Sequence, residues 1–149
     1  MKQLILLALT VISGLISSFG SDEVLAQISL SCPTQGVLTL SGKFDLITTQ
    51  QARCNFTVDN TVPNIGVRIS LTTPSLISGQ ADPLGTNRKA QLSYSNNGQS
   101  IILNEGSNRT DTFSGLTTTT MLLNMQIQRP QQFLAGSYLY GITINITPP

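Results

Sequence analysis

What this chain lacks sets the first limit on its chemistry. It has no His and no Trp, so the commonest general base and metal ligand is missing. Beyond residue 26 the only lysines are Lys43 and Lys89, and neither sits in a Ser/Lys catalytic motif. A serine nucleophile needs a base within hydrogen-bond reach, and no recognisable spacing supplies one. The carboxylates in the same stretch are Asp45, Asp59, Asp82, Glu105 and Asp111. A carboxylate pair performs acid–base work in many enzymes, but most of these flank turns, where carboxylates are ordinarily solvated or bonded to nearby backbone N–H groups. No loop shows the alternating Asp/Asn ligands of a calcium site. No Gly-rich phosphate loop opens a helix. The expectation is a protein that is not an enzyme and carries no cofactor or metal. Arg68, Arg88, Lys89, Arg109 and Arg129 are expected as scattered, solvated charges rather than a basic patch. A formal net charge of +1, with 10% charged residues, leaves no electrostatic footprint for nucleic acid.

Two cysteines, Cys32 and Cys54, remain to be placed, and the N-terminus supplies their compartment. Met1-Lys2-Gln3 precedes thirteen uncharged residues, Leu4 to Ile16. That run suits the apolar middle of a secretory signal peptide and is short for a membrane span of ~20 residues. Val24-Leu25-Ala26 offers small residues where a signal peptidase reads them. Residues 1–26 are therefore expected to be a cleaved signal, with cleavage after Gly20 as the alternative. The remainder, 27–149, reads as one exported domain with no stable membrane insertion after cleavage. An even cysteine count in an exported chain implies a Cys32–Cys54 disulfide.

The elements that must position these residues are strands. The chain holds 18 Thr, 16 Ser, 12 Gln and 10 Asn, a composition that favours strands over helices. Period-two alternation recurs at Ala52–Val58, Val67–Leu71, Ala90–Tyr94 and Met121–Ile127. The longest run is Tyr138, Tyr140, Ile142, Ile144 and Ile146, opposed by Gly141, Thr143, Asn145 and Thr147. Shorter apolar stretches occupy Ile28–Ser31, Val37–Leu40 and Ser100–Leu103. Asn97-Gly98 signals a tight hairpin, and Asp82-Pro83-Leu84-Gly85 signals a loop. Thr117–Thr120 fits a strand start or a loop. At least seven short strands in ~120 residues predict an all-β antiparallel β-sandwich, with a closed barrel as the alternative.

Together these landmarks resemble the spore coat protein U domain, the fold of archaic chaperone–usher pilus subunits. The resemblance runs from Cys32 to Thr147. It rests on an early Cys followed by a second about twenty residues on, the strands Val67-Arg68-Ile69-Ser70-Leu71 and Gln91-Leu92-Ser93-Tyr94, and the closing Ala135-Gly136-Ser137-Tyr138 segment. It implies an immunoglobulin-like sandwich that lacks its last strand. A periplasmic chaperone fills the gap, and the N-terminal extension of a neighbouring subunit replaces it at the usher. The physical process is β-strand addition. Pro148-Pro149 follow the last apolar run directly, and no further strand is expected after it. Tyr138, Tyr140, Ile142, Ile144 and Ile146 are then the candidate partner-strand-binding residues. The competing reading makes them ordinary core, covered by the chain's own first strand around Ile28 and Leu30.

Two function classes follow: an exported structural subunit of a surface appendage or coat, and a self-contained exported adhesin or carbohydrate-binding sandwich. The second calls for exposed aromatics, for which Phe44, Phe113 and Phe133 lie outside the clear alternating runs. The location is periplasm, cell surface or extracellular space. Intact mass should show the exported protein beginning at Gln27 and gaining two hydrogens on reduction. Two free thiols in unreduced material would contradict the pairing.

Overall fold

A computed structural model of the protein describes residues 5–6, 12–13, 27–59 and 65–147. The expected cleavage positions, after Ala26 and after Gly20, lie outside the described residues, as do Pro148 and Pro149. The described residues form strands and turns with no helix. In chain order the strands are β1 (Ile5–Leu6), β2 (Ile12–Ser13), β3 (Gln27–Thr34), β4 (Val37–Leu40), β5 (Asp45–Gln50), β6 (Ala52–Asp59) and β7 (Ile65–Leu71). They continue with β8 (Ser75–Ser78), β9 (Asn87–Asn96), β10 (Gln99–Asn104), β11 (Asn108–Phe113), β12 (Thr117–Gln128), β13 (Leu139–Gly141) and β14 (Ile144–Thr147).

The large sheet is built on a long hairpin. β3 and β4 run out, turn at Ser41–Phe44, and return as β5 and β6. The turn closes with Ser41 N–H donating to the Asp45 carbonyl at 2.8 Å. β12 lies along the returning arm, opposite β6 through Thr117–Leu123 and opposite β5 through Gln126–Gln128. Between those stretches the register shifts, and Thr48 fills the gap. Met125 N–H donates to Thr48 Oγ1 at 2.7 Å, and Thr48 Oγ1 donates to the Met125 carbonyl at 3.0 Å. β9 pairs with the other edge of β12, and β10 pairs with β9. The β9–β10 turn is the Asn97-Gly98 hairpin, with φ of 50° and 76° at its two residues, the left-handed pair that a tight hairpin requires.

The second layer has the order β11-β7-β14-β2, and β8 pairs separately with β13. The layers stack as a β-sandwich rather than a closed barrel. Phe56 of β6 meets Phe113 of β11 edge-to-face, ring centroids 5.2 Å apart. Every alternating run puts its apolar face into one shared core. Cys32 and Cys54 form a disulfide between the neighbouring strands β3 and β6, where the ladder skips between Ser31 and Thr34. Closing a loop with a sequence separation of 22 stabilises by ~3 kcal/mol in the chain-entropy picture.

One expected element is corrected. The run Tyr138–Thr147 is two strands, not one. β13 pairs with β8, and β14 pairs with β7. The partner strand is itself interrupted by Pro74, which has no N–H for a ladder. Thr72 bridges the break: its N–H donates to the Thr143 carbonyl at 3.0 Å, and its Oγ1 accepts from Thr143 N–H at 2.9 Å. The inward phase survives, since Tyr138, Tyr140, Ile142, Ile144 and Ile146 are all buried. Thr117–Thr120 is a strand start, the first third of β12.

Candidate functional site

The C-terminal segment is held at one end by charge and at the other by strand pairing. β12 alternates inward at Thr119, Met121, Leu123, Met125 and Ile127, and the next residue in that phase is Arg129. Its guanidinium is therefore driven into the sandwich, where its side chain is 2% exposed. A cation in that position needs a counterion and donors' partners. Asp82, delivered by the turn after β8, provides them: Arg129 Nη2 lies 2.6 Å from Asp82 Oδ1, and Arg129 Nη2 also donates to the Gln80 carbonyl at 2.8 Å. Arg88 approaches the other carboxylate oxygen at 2.7 Å, and the Tyr140 hydroxyl donates to Oδ1 at 2.6 Å. The guanidinium carbon sits 4.4 Å from the Phe133 ring centroid and 4.7 Å from that of Tyr138, two cation–π contacts from adjacent, perpendicular rings.

This cluster fixes where the C-terminal segment starts. Tyr138 donates to the Leu134 carbonyl at 3.2 Å and crosses Phe133 edge-to-face. Gly79 packs against it. A Cβ there would fall 2.9 Å from the Ser137 carbonyl oxygen, and its φ of +123° also disfavours other residues. Burial works against ionisation of Asp82, yet the donors Tyr140, Arg88 and Arg129 outweigh it and hold its carboxyl below the ordinary value of 3.8. The same burial, with the hydrogen bond to Asp82, pushes the Tyr140 phenol up. With its oxygens committed to three donors, Asp82 is poorly placed to accept a substrate proton.

Asp111 is the second buried carboxylate. Tyr94 donates to it from β9 in the opposite layer, and Arg109 Nε lies 2.6 Å away. Asp82 and Asp111 are thus not the solvated turn carboxylates expected, because each sits where strand phase or loop closure turns it inward beside an arginine. For the same reason Arg88, Arg109 and Arg129 are ion-paired, and Arg129 is buried rather than solvated. Glu105 accepts from Ala90 N–H at 2.9 Å. Asp45 is half-buried at the start of β5, and the Asp59 side chain lies outside the described set. Among the described residues no three His, Cys, Asp or Glu side chains gather as a metal site.

The five candidate strand-binding residues divide. Tyr138 and Tyr140 end in the Arg129–Asp82 cluster, and Ile142 lies in the break between β13 and β14. Ile144 and Ile146 lie on β14, buried from within. The inner edge of β14 bonds to β7, with Ile144 opposite Leu71 and Ile146 opposite Ile69. Its outer edge pairs with β2 in parallel, Asn145 with Ile12 and Ile146 with Ser13. Every other described strand pairing is antiparallel. The first strand of the sandwich, β3, pairs with β6 instead; Ile28 and Leu30 pack on the core from there and do not cover this edge. Ile5–Leu6 pairs with the outer edge of β4.

The chain matches no protein-family model, and no curated protein matches it. No described helix is long and apolar enough to cross a membrane.

Replacing Asp82 with Asn should destabilise the fold by ~3–5 kcal/mol at neutral pH, since it strands a buried Arg129. A group whose folded pKa is lowered stabilises above its unfolded pKa and loses that contribution as pH falls through the folded value. Wild type should therefore lose stability below the ordinary Asp value of 3.8, and the gap to Asp82→Asn should close there. Urea titrations across acid pH read both; equal stabilities at neutral pH would contradict the cluster's role.

Proposed function

We propose that this chain is an exported structural subunit of a surface appendage or coat, pilus- or fimbria-like, that assembles by β-strand addition at the outer edge of β14. The observation that carries the reading is the identity of the strand now on that edge. Ile12–Ser13 lies inside residues 1–26, the segment whose sequence reads as an export signal. Signal cleavage removes that strand and leaves the backbone groups on the outer edge of β14 without it. An edge of this kind is a pairing template that must be capped, and Ile144 and Ile146 beneath it are core residues. A donor strand restores the hydrogen bonds, and its alternate side chains enter the seam between the layers.

The resemblance to the spore coat protein U domain supports the same reading and names the partners: a periplasmic chaperone and an usher during export, then neighbouring subunits. In this reading the sandwich is immunoglobulin-like without its final strand, and the protein works in adhesion or surface architecture rather than catalysis. The Cys32–Cys54 disulfide suits an oxidising, exported location.

A photo-crosslinking amino acid placed at Asn145 or Thr147 reads the partner directly. In the exported protein it should form adducts with a second polypeptide, while the same probe at Ile77, exposed on β8, should not. Adducts confined to the chain's own residues, or equal yields at all three positions, would overturn the proposal.

A further inference from the structure

The outer face of the large sheet carries a second candidate site, in the layer that does not contain β14 and so independent of strand uptake. Strand register lays polar side chains there in rows. Gln128 stands between Asp45 and Asn87, and Gln126 between Ile47 and Lys89. In the next row Asn124 stands opposite Gln91, which stands opposite Asn104. The strands are ~4.8 Å apart, so these side chains form a grid of donors and acceptors. Gln91 and Asn104 bond to each other at 3.3 Å. Among the described residues the amides of Asn87, Asn124, Gln126 and Gln128 have no protein partner.

The face is concave. A groove of about 570 Å³ runs over Lys89, Gln91, Asn104, Asn124 and Gln126. A second hollow of about 470 Å³ lies over Phe44, Asp45, Gly85, Asn87 and Gln128. A smaller depression bounded by Asn87, Lys89, Gln126 and Gln128 joins them. Phe44 is the exposed aromatic among the described residues, at 46%; Phe56, Phe113, Phe133 and all three tyrosines are buried. It stands at the end of this trough.

We infer that the trough binds a neutral oligosaccharide chain. Each side-chain amide both donates and accepts, matching a hydroxyl, which does the same. The Phe44 ring, 46% exposed, offers an apolar face for the C–H side of a sugar ring. The charged side chains lining the trough are of both signs, Lys89 and Glu105 over one hollow and Asp45 over the other, and the charge of Arg129 beneath is met by Asp82, so no single-sign patch is presented to an ionic ligand. A neutral polyhydroxylated ligand is the class that uses these groups without leaving a charge unpaired.

Saturation-transfer NMR on the exported protein, with neutral hexasaccharides of glucose, mannose, xylose and N-acetylglucosamine as probes, tests this in any assembly state. At least one should receive saturation from the protein. Phe44→Ala and Gln128→Ala should each weaken its binding roughly tenfold without shifting the melting temperature, whereas Ile77→Ala should leave binding intact. The inference is overturned if no neutral hexasaccharide receives saturation, if binding persists unchanged in both trough variants, or if only a sulfated oligosaccharide binds.

Discussion

A β-strand on a sheet edge presents backbone groups that need partners, and in this molecule the edge that matters is the outer side of β14, where the chain's own Ile12–Ser13 lies. β14 is committed inward: β7 takes one side of its backbone, and Ile144 and Ile146 are buried in the common core. It cannot withdraw from the sandwich without opening it. Its outer side carries backbone groups that water or another strand must satisfy. In this structure the chain's own Ile12–Ser13 does so in parallel. β3 is already occupied across from β6, tied there by the Cys32–Cys54 bond.

The rest of the fold keeps that edge in place. The disulfide and the Thr48–Met125 contacts lock the large sheet where its registers slip. At the far end of the C-terminal segment, Arg129 and Asp82 draw four pieces of chain together: the turn after β8, the start of β9, the end of β12 and the approach to β13. Arg129 is buried because it continues the inward phase of β12. Its charge is then met by Asp82, Gln80 and Tyr140 and by cation–π contact with Phe133 and Tyr138. Tyr140 thereby anchors β13, and Thr72 passes that position across the break to β14. The arrangement is expensive to desolvate and costs several kcal/mol to break on one side only, which suits a part that sets geometry.

Much of this was legible in the residues. The alternating runs, the Asn97-Gly98 hairpin, the disulfide and the sandwich follow from local chemistry: side-chain period, φ preference and thiol pairing. The burial phase of Tyr138 to Ile146 was legible too. Its division into two strands was not, because the break is imposed by Pro74 in a partner strand far away in sequence. The ion cluster was also missed, although a signal existed. Arg129 falls in register with Ile127 and Met125, and Asp111 with Phe113, so phase alone marks both as inward charges that need partners. The partner Arg129 finds depends on loop closure between residues 47 positions apart, which period-two reasoning does not reach, whereas Asp111 finds Arg109 two residues away on its own strand. The amide grid likewise needs cross-strand register, since Asn87, Gln128 and Asp45 are unremarkable polar residues until β9, β12 and β5 align them.

The central claim is that the outer edge of β14 awaits a strand from another chain. Hydrogen exchange of the backbone amides of Ile144–Thr147 tests it most directly, in exported protein beginning at Gln27. The account predicts that amides facing away from β7 exchange quickly in the isolated protein and become protected in the assembled form or with an added peptide of alternating apolar residues. A soluble, cooperatively folding monomer in which Ile144–Thr147 is already fully protected, and unchanged by such a peptide, would contradict it.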